Sequence, residues 1–159
     1  MKFDQANISN LNLEIEIAAS PDKVWTSLTK NISEWWPAEF YIGGESGSRN
    51  FHLETSPGGR MFETWDDGGS ALWGTVVTVK PNKQLQVLGS IFPNWGGPSQ
   101  WFGTWDLVAN GEKTMLRYSE HAIGRSSEAG NLEKEKGWQF LWSALKANVE
   151  GAPAPTWLD

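Results

Sequence analysis

Glu63 lies in the run Arg60-Met61-Phe62-Glu63-Thr64-Trp65, where strand parity sets Met61, Glu63 and Trp65 on one face and Arg60, Phe62 and Thr64 on the other. A carboxylate between apolar neighbours, on a face that lines a cavity, would act as a proton acceptor or as a hydrogen-bond partner for a ligand, with Trp65 beside it. On a face that meets solvent it would instead pair with Arg60, Arg117 or a lysine. His121 shares parity with Met115, Arg117 and Ser119 near the end of a strand-like segment. At a cavity mouth an imidazole suits acid–base chemistry; at an ordinary strand end it is a solvated, hydrogen-bonded side chain. His52 is the only other histidine, no HxxxH or HExxH spacing occurs, and there is no cysteine. No metal site and no cofactor are therefore expected, and thiol chemistry is excluded. No GxSxG elbow, Walker loop or dinucleotide fingerprint is present, and Gly43-Gly44-Glu45-Ser46-Gly47 does not open a convincing helix, so glycine clusters read as turns rather than phosphate cradles.

The second chemical resource is aromatic. Eleven tryptophans stand against two tyrosines, and each indole can bury about 150–250 Å². Trp73, Trp101, Trp105, Trp138 and Trp142 fall on segments expected to face one another, where they would either wall a pocket for a flat or aliphatic ligand or pack into a closed core. Gly74, Gly89 and Gly103 remove side chains from strand interiors, which fits both a bent sheet around a hollow and close packing of large rings. The formal charge of −6 repels phosphate backbones, and the 13 basic residues form no run or stripe, so nucleic acid is not an expected partner. Met1 to Asn10 holds no continuous apolar stretch; neither a signal peptide nor a membrane span is expected, and the chain reads as soluble and cytoplasmic.

The elements that must position these residues follow from periodicity. Leu11, Leu13, Ile15 and Ile17 alternate with Asn12, Glu14 and Glu16, the pattern of a strand with one buried face. Ser20-Pro21 opens a helix carrying Val24, Trp25 and Leu28 on one side, and a second short helix with Ile32, Trp35 and Trp36 ends at Pro37. Turn signals then separate strand-type segments at 51–55, 60–65, 72–79, 84–91, 100–108 and 113–122, an antiparallel meander. A last helix starts near Ser127 or Asn131, with Trp138, Leu141, Trp142, Leu145 and Val149 on one stripe, and Gly151, Pro153 and Pro155 end it. The tail beyond carries Trp157, which either docks or stays mobile. Without repeat or linker, the 159 residues read as a single domain with a core over about 11–151.

Trp35-Trp36-Pro37, Gly58-Gly59-Arg60, Glu63, Trp65, Asp67-Gly68, Trp73-Gly74-Thr75-Val76, Pro81 and Gly137-Trp138, in this order, resemble the AHSA-type branch of the SRPBCC or START-like superfamily, the homologues of the heat-shock-protein ATPase activator. The resemblance covers roughly Leu11 to Gly151. It implies an α+β helix-grip fold in which a curved antiparallel sheet wraps a long C-terminal helix around a mostly apolar cavity, with two short helices after the first strand. It also implies a hydrophobic or aromatic small-molecule ligand, with Glu63, Trp65, Trp73, Trp101, Trp105, His121, Trp138 and Trp142 as ligand-binding candidates. Two alternatives remain open: an enzyme acting on a hydrophobic substrate with Glu63 as general base, and an interaction module that touches a chaperone or forms a homodimer through exposed strands or the Trp95 loop. The chain departs from the family pattern between Ser90 and Trp101, and the tandem domain of the true chaperone activators is not expected.

Overall fold

The computed structural model describes residues 5–43, 49–93 and 96–157. Seven strands make one sheet: β1 (Asn7–Ile17), β2 (Arg49–Leu53), β3 (Arg60–Trp65), β4 (Ser70–Lys80), β5 (Gln84–Ile91), β6 (Ser99–Asn110) and β7 (Lys113–Gly124). The order is β1-β7-β6-β5-β4-β3-β2, and every pairing is antiparallel. Only β1 and β7 are neighbours without being consecutive, so the meander is interrupted once, where the chain crosses through the short helices α1 (Pro21–Thr29) and α2 (Ile32–Trp35) and a single 3-10 turn at Ala38–Phe40. The expected elements are all present, and β1 begins four residues before the alternation of leucine and isoleucine, because Asn7–Asn10 continue the ladder against His121–Gly124.

The long helix α3 (Glu128–Glu150) lies against the concave face. Ser127 caps it, its Oγ accepting the Gly130 N–H at 3.1 Å. Gly151 ends it at φ 70°, a left-handed position that glycine takes without a Cβ penalty. The predicted stripe is buried: Trp138, Leu141, Trp142, Leu145 and Val149 all face the sheet. The inward residues of β7 are Thr114, Leu116, Tyr118, Glu120 and Ala122, and those of β1 include Leu11 and Ile17. The C-terminal end of α3 is fastened to the end of β1 by polar contacts: Glu150 Oε1 accepts the Ala18 N–H at 2.7 Å, and Lys146 pairs with Glu150 at 3.1 Å and donates to the Glu16 carbonyl, while Lys113 on β7 pairs with Glu16 at 2.6 Å. Ser27 on α1 donates to Asn148 at 2.6 Å. The first half of α3 is tied to the sheet by Lys134, which donates to Glu120 on β7 and to Ser9 on β1.

The Pro57-Gly58-Gly59-Arg60 stretch is a turn, as expected. Glu54 grips Arg60 through a 2.6 Å ion pair, which together with the Arg60 N–H holds the Glu54 carboxyl down at about 2. Gly59 leaves no room for a side chain, since a Cβ there would lie 2.2 Å from the Glu54 carbonyl oxygen. The tail docks: Trp157 packs edge-on against Phe40 and Phe140, at centroid distances of 5.5 and 5.0 Å. Among the described residues, no helix is long and apolar enough to cross a membrane, and no cluster of metal-ligating side chains occurs.

Candidate functional site

Two carboxylates are buried behind the concave face. Glu63, on the inward parity of β3, is 0 % exposed. Its Oε1 accepts the backbone N–H groups of Ile42 (2.8 Å) and Gly43 (3.0 Å) and the Trp65 indole N–H (2.7 Å), while Oε2 accepts the Trp73 indole N–H (2.9 Å). Glu120, on the inward parity of β7, is 1 % exposed. Its Oε2 accepts from the Tyr118 hydroxyl (2.7 Å) and the Trp138 indole (3.0 Å), and its Oε1 from Lys134 Nζ (2.7 Å). Burial first, and then the adjacent Glu120 carboxylate, push the Tyr118 hydroxyl far above the usual phenol range, so it stays a donor. Burying such groups costs heavily unless partners replace water, and here the partners come from separate elements: Glu63 fixes the 42–43 segment and β4 to β3, and Glu120 fixes α3 to β7.

Where β1, the ends of β6 and β7 and the first half of α3 diverge, a recess of about 450 Å³ opens. Phe40, Trp73, Ile91, Trp138 and Leu141 supply its apolar wall, and Ser9, Ser99, Arg125, Asn131 and Lys134 its polar side. Gly137 permits Phe40 to reach the helix, because a methyl group at that position would approach Phe40 Cε1 to 3.2 Å. Lys134 also borders an adjoining groove of about 470 Å³ along Ile8, Leu11 and Leu132.

The sequence candidates separate into four placements. Trp73 and Trp138 line the recess. Trp101, Trp105 and Trp142 belong instead to a packed ring cluster with Tyr118 and Trp138: Trp105 meets Tyr118 at 4.9 Å, Trp138 at 6.2 Å and Trp142 at 6.0 Å, Trp101 meets Trp105 at 6.2 Å, and Trp138 stacks on Trp142 at 5.2 Å. Close packing of rings against missing side chains is what fills this region; a Cβ on Gly89 would fall 2.2 Å from Trp101. Glu63 and half-buried Trp65 do not line the recess; Glu63 reaches its wall by accepting from the Trp73 indole, and Trp65 donates to Glu63. Neither Arg60, which pairs with Glu54, nor Arg117, which pairs with Glu14 at 2.9 Å, is a partner of Glu63. His121 has the outward parity of β7; it is exposed and bonds Asn10 on the neighbouring strand at 2.6 Å, away from the concave face. The Trp95 loop position lies outside the described residues, as do Gly44-Glu45-Ser46-Gly47.

Glu120, Lys134 and Phe40 were not among the candidates. The signal for Glu120 was present: Leu116, Tyr118 and Ala122 alternate with polar residues and carry Glu120 on their parity. Lys134 stands one helical turn before Trp138, so it shares the inward face. Phe40 comes three residues after Pro37, outside any periodic element, and carries no such mark.

Residues 18–150 match the model of the family described as activator of Hsp90 ATPase homolog 1-like protein. The chain belongs to that family. The solved structures it resembles share the fold of this AHSA1-type chain at low identity. An uncharacterised protein from Rhizobium leguminosarum aligns with a TM-score of 0.68 and 18 % identity over 92 % of this chain and 97 % of its own. Protein CV1439 from Chromobacterium violaceum gives 0.64 and 18 % over 89 % and 96 %. CalU16 from Micromonospora echinospora gives 0.62 and 19 % over 95 % and 86 %. No curated protein matches the chain. Family and fold agree on an α+β helix-grip architecture, in which the recess occupies the space between sheet and long helix.

Proposed function

We propose that this AHSA1-type protein binds a hydrophobic or aromatic small molecule in the recess beside the first half of α3. The observation that carries the reading is the pairing of about 450 Å³ of space with a wall of Phe40, Trp73, Ile91, Trp138 and Leu141. Concave, largely apolar sites with a few polar groups are where small ligands gain affinity through burial. Two of the wall rings are held in place by buried carboxylates, so the site is preorganised and little ordering is needed on binding.

The arrangement favours binding over general-base catalysis by Glu63. A base needs a lone pair within reach of substrate, and Glu63 instead takes four N–H groups of its own chain. The family description favours one second reading, contact with a chaperone. The experiment is a ligand panel of fatty acids, sterols, flavonoids and aromatic polyketides, followed by melting temperature and by the indole N–H resonances of Trp73 and Trp138. Binding is expected to shift these two resonances and raise the melting temperature. A panel that moves neither, with a chaperone recovered in pull-downs, would replace the ligand reading with the interaction reading.

A further inference from the structure

We propose that the recess selects amphipathic molecules ending in a carboxylate, seated at Lys134 with the apolar body on Trp73, Trp138 and Leu141; this rests on the reading of the recess as a ligand site. The chain carries a formal charge of −6, yet the recess lining sets the Lys134 ammonium beside its apolar wall, and the carboxylate in that lining is Glu133. Glu133 is itself paired with Lys136 at 2.8 Å. Glu120, beneath the lining, takes hydrogen bonds from Tyr118 and Trp138 as well as from Lys134, so three donors share its charge.

An ammonium has three N–H donors. Lys134 directs them at Glu120 Oε1 (2.7 Å) and Ser9 Oγ (3.4 Å), which leaves a third for a ligand oxygen. Its side chain is 20 % exposed, partly withdrawn from water, where a charge-assisted bond is stronger than on an open surface. The ion pair with Glu120 holds the ammonium at a fixed place on the wall, close to the Trp138 indole that bonds the same carboxylate. A ligand with its carboxylate at Lys134 can lay its apolar part on Trp138 and Leu141, one and two turns further along the helix, and on Trp73 across the recess. A neutral polar end would gain only an ordinary hydrogen bond there.

The test compares matched ligands by calorimetry: naphthalene-2-carboxylate against naphthalene-2-carboxamide, and decanoate against decan-1-ol, with indole N–H spectra recorded in parallel. The carboxylates are expected to bind about tenfold or more tightly than their neutral partners at low salt, a preference that shrinks as salt rises. Lys134→Gln should abolish the preference, leaving the neutral ligands within about twofold, and Lys134→Arg should keep it. If Lys134→Gln does not fold, the wild-type pairs and Lys134→Arg still decide the matter. Neutral and charged partners binding equally, with Trp73 and Trp138 resonances shifting, would overturn the carboxylate assignment while leaving the recess a ligand site. No shift from any of the four compounds, or from the wider panel, would remove the ligand site and this assignment with it.

Discussion

Replacing Glu63 with glutamine keeps the shape and removes one acceptor. In the native side chain four N–H groups, from Ile42, Gly43, Trp65 and Trp73, converge on two oxygens within 2.7–3.0 Å. The amide can still offer its oxygen to the three donors at the Oε1 position. Its NH2 then faces the Trp73 indole N–H, donor against donor, in a site that is 0 % exposed. One charge-assisted bond worth ~1.5–3 kcal/mol is lost, and the stranded indole adds part of a ~1–3 kcal/mol desolvation penalty, so a loss of ~3 kcal/mol is expected. Glu63→Leu strands both indoles and should cost more, ~2–6 kcal/mol from those two groups alone. Urea unfolding measures the loss, and amide exchange at Ile42 and Gly43 reports whether the 42–43 segment comes free. Trp105→Phe is the control: the Trp105 N–H has no hydrogen-bond partner among the described residues, so only packing is altered. A Glu63→Gln protein within ~0.5 kcal/mol of wild type, with exchange unchanged at both amides, would refute the claim that this carboxylate holds the segment.

Leu145 is 0 % exposed at the centre of the helix–sheet contact; Leu145→Ala should cost ~2–5 kcal/mol in thermal or urea unfolding. Trp157→Ala should destabilise by ~1–3 kcal/mol and quicken exchange around Phe40, since Trp157 rests on Phe40 and Phe140; an unchanged melting curve would show that the tail adds nothing. Acid should loosen the contacts around the C-terminal end of α3: Glu150, which fastens α3 to the end of β1 through the Ala18 N–H, and Glu16, which ties β1 to β7 through Lys113, both titrate below the ordinary value of 4.5. Because their folded values are depressed, the stabilisation is present above the ordinary value of 4.5 and is lost as pH falls through the lowered values; Glu150→Gln should flatten that part of the pH–stability curve. Trp138→Phe and Trp73→Phe should each weaken ligand binding in calorimetry more than Trp142→Phe does, because only the first two line the recess.

Fold was legible because each layer leaves its own periodicity. Alternation along Leu11–Ile17, turn glycines between strand segments and the Trp138–Val149 stripe are backbone-scale signals, and tertiary packing reinforced them. The site was legible only where periodicity reached it. The inward placement of Trp73 and Trp138 could be read because they lie on regular elements, and that of Glu63 from its parity. What parity cannot give is the partner. Glu63's donors at Ile42 and Gly43 come from a non-periodic segment 20 or 21 residues earlier, and only the three-dimensional path of that segment decides between a free carboxylate and a saturated one. His121 illustrates the opposite hazard: a residue type suited to chemistry drew attention to the outward parity, while Glu120, one position earlier, occupied the inward one.

The tryptophans divide by what their N–H groups do. Those of Trp36, Trp101, Trp105 and Trp142 have no hydrogen-bond partner among the described residues, although the rings are buried. A buried unpaired donor carries a penalty of ~1–3 kcal/mol, which ring burial must outweigh, so these indoles serve as volume. Trp35 donates to the Ser27 carbonyl, while Trp65, Trp73 and Trp138 donate to buried carboxylates, and of these three Trp73 and Trp138 stand in the recess wall. A ring with open space on one side lacks neighbours there to hold its rotamer, and a bond at the ring edge supplies the missing constraint. The buried charges are thus best understood through the hollow beside them: Glu63 and Glu120 hold two large side chains upright against a space that would otherwise invite collapse.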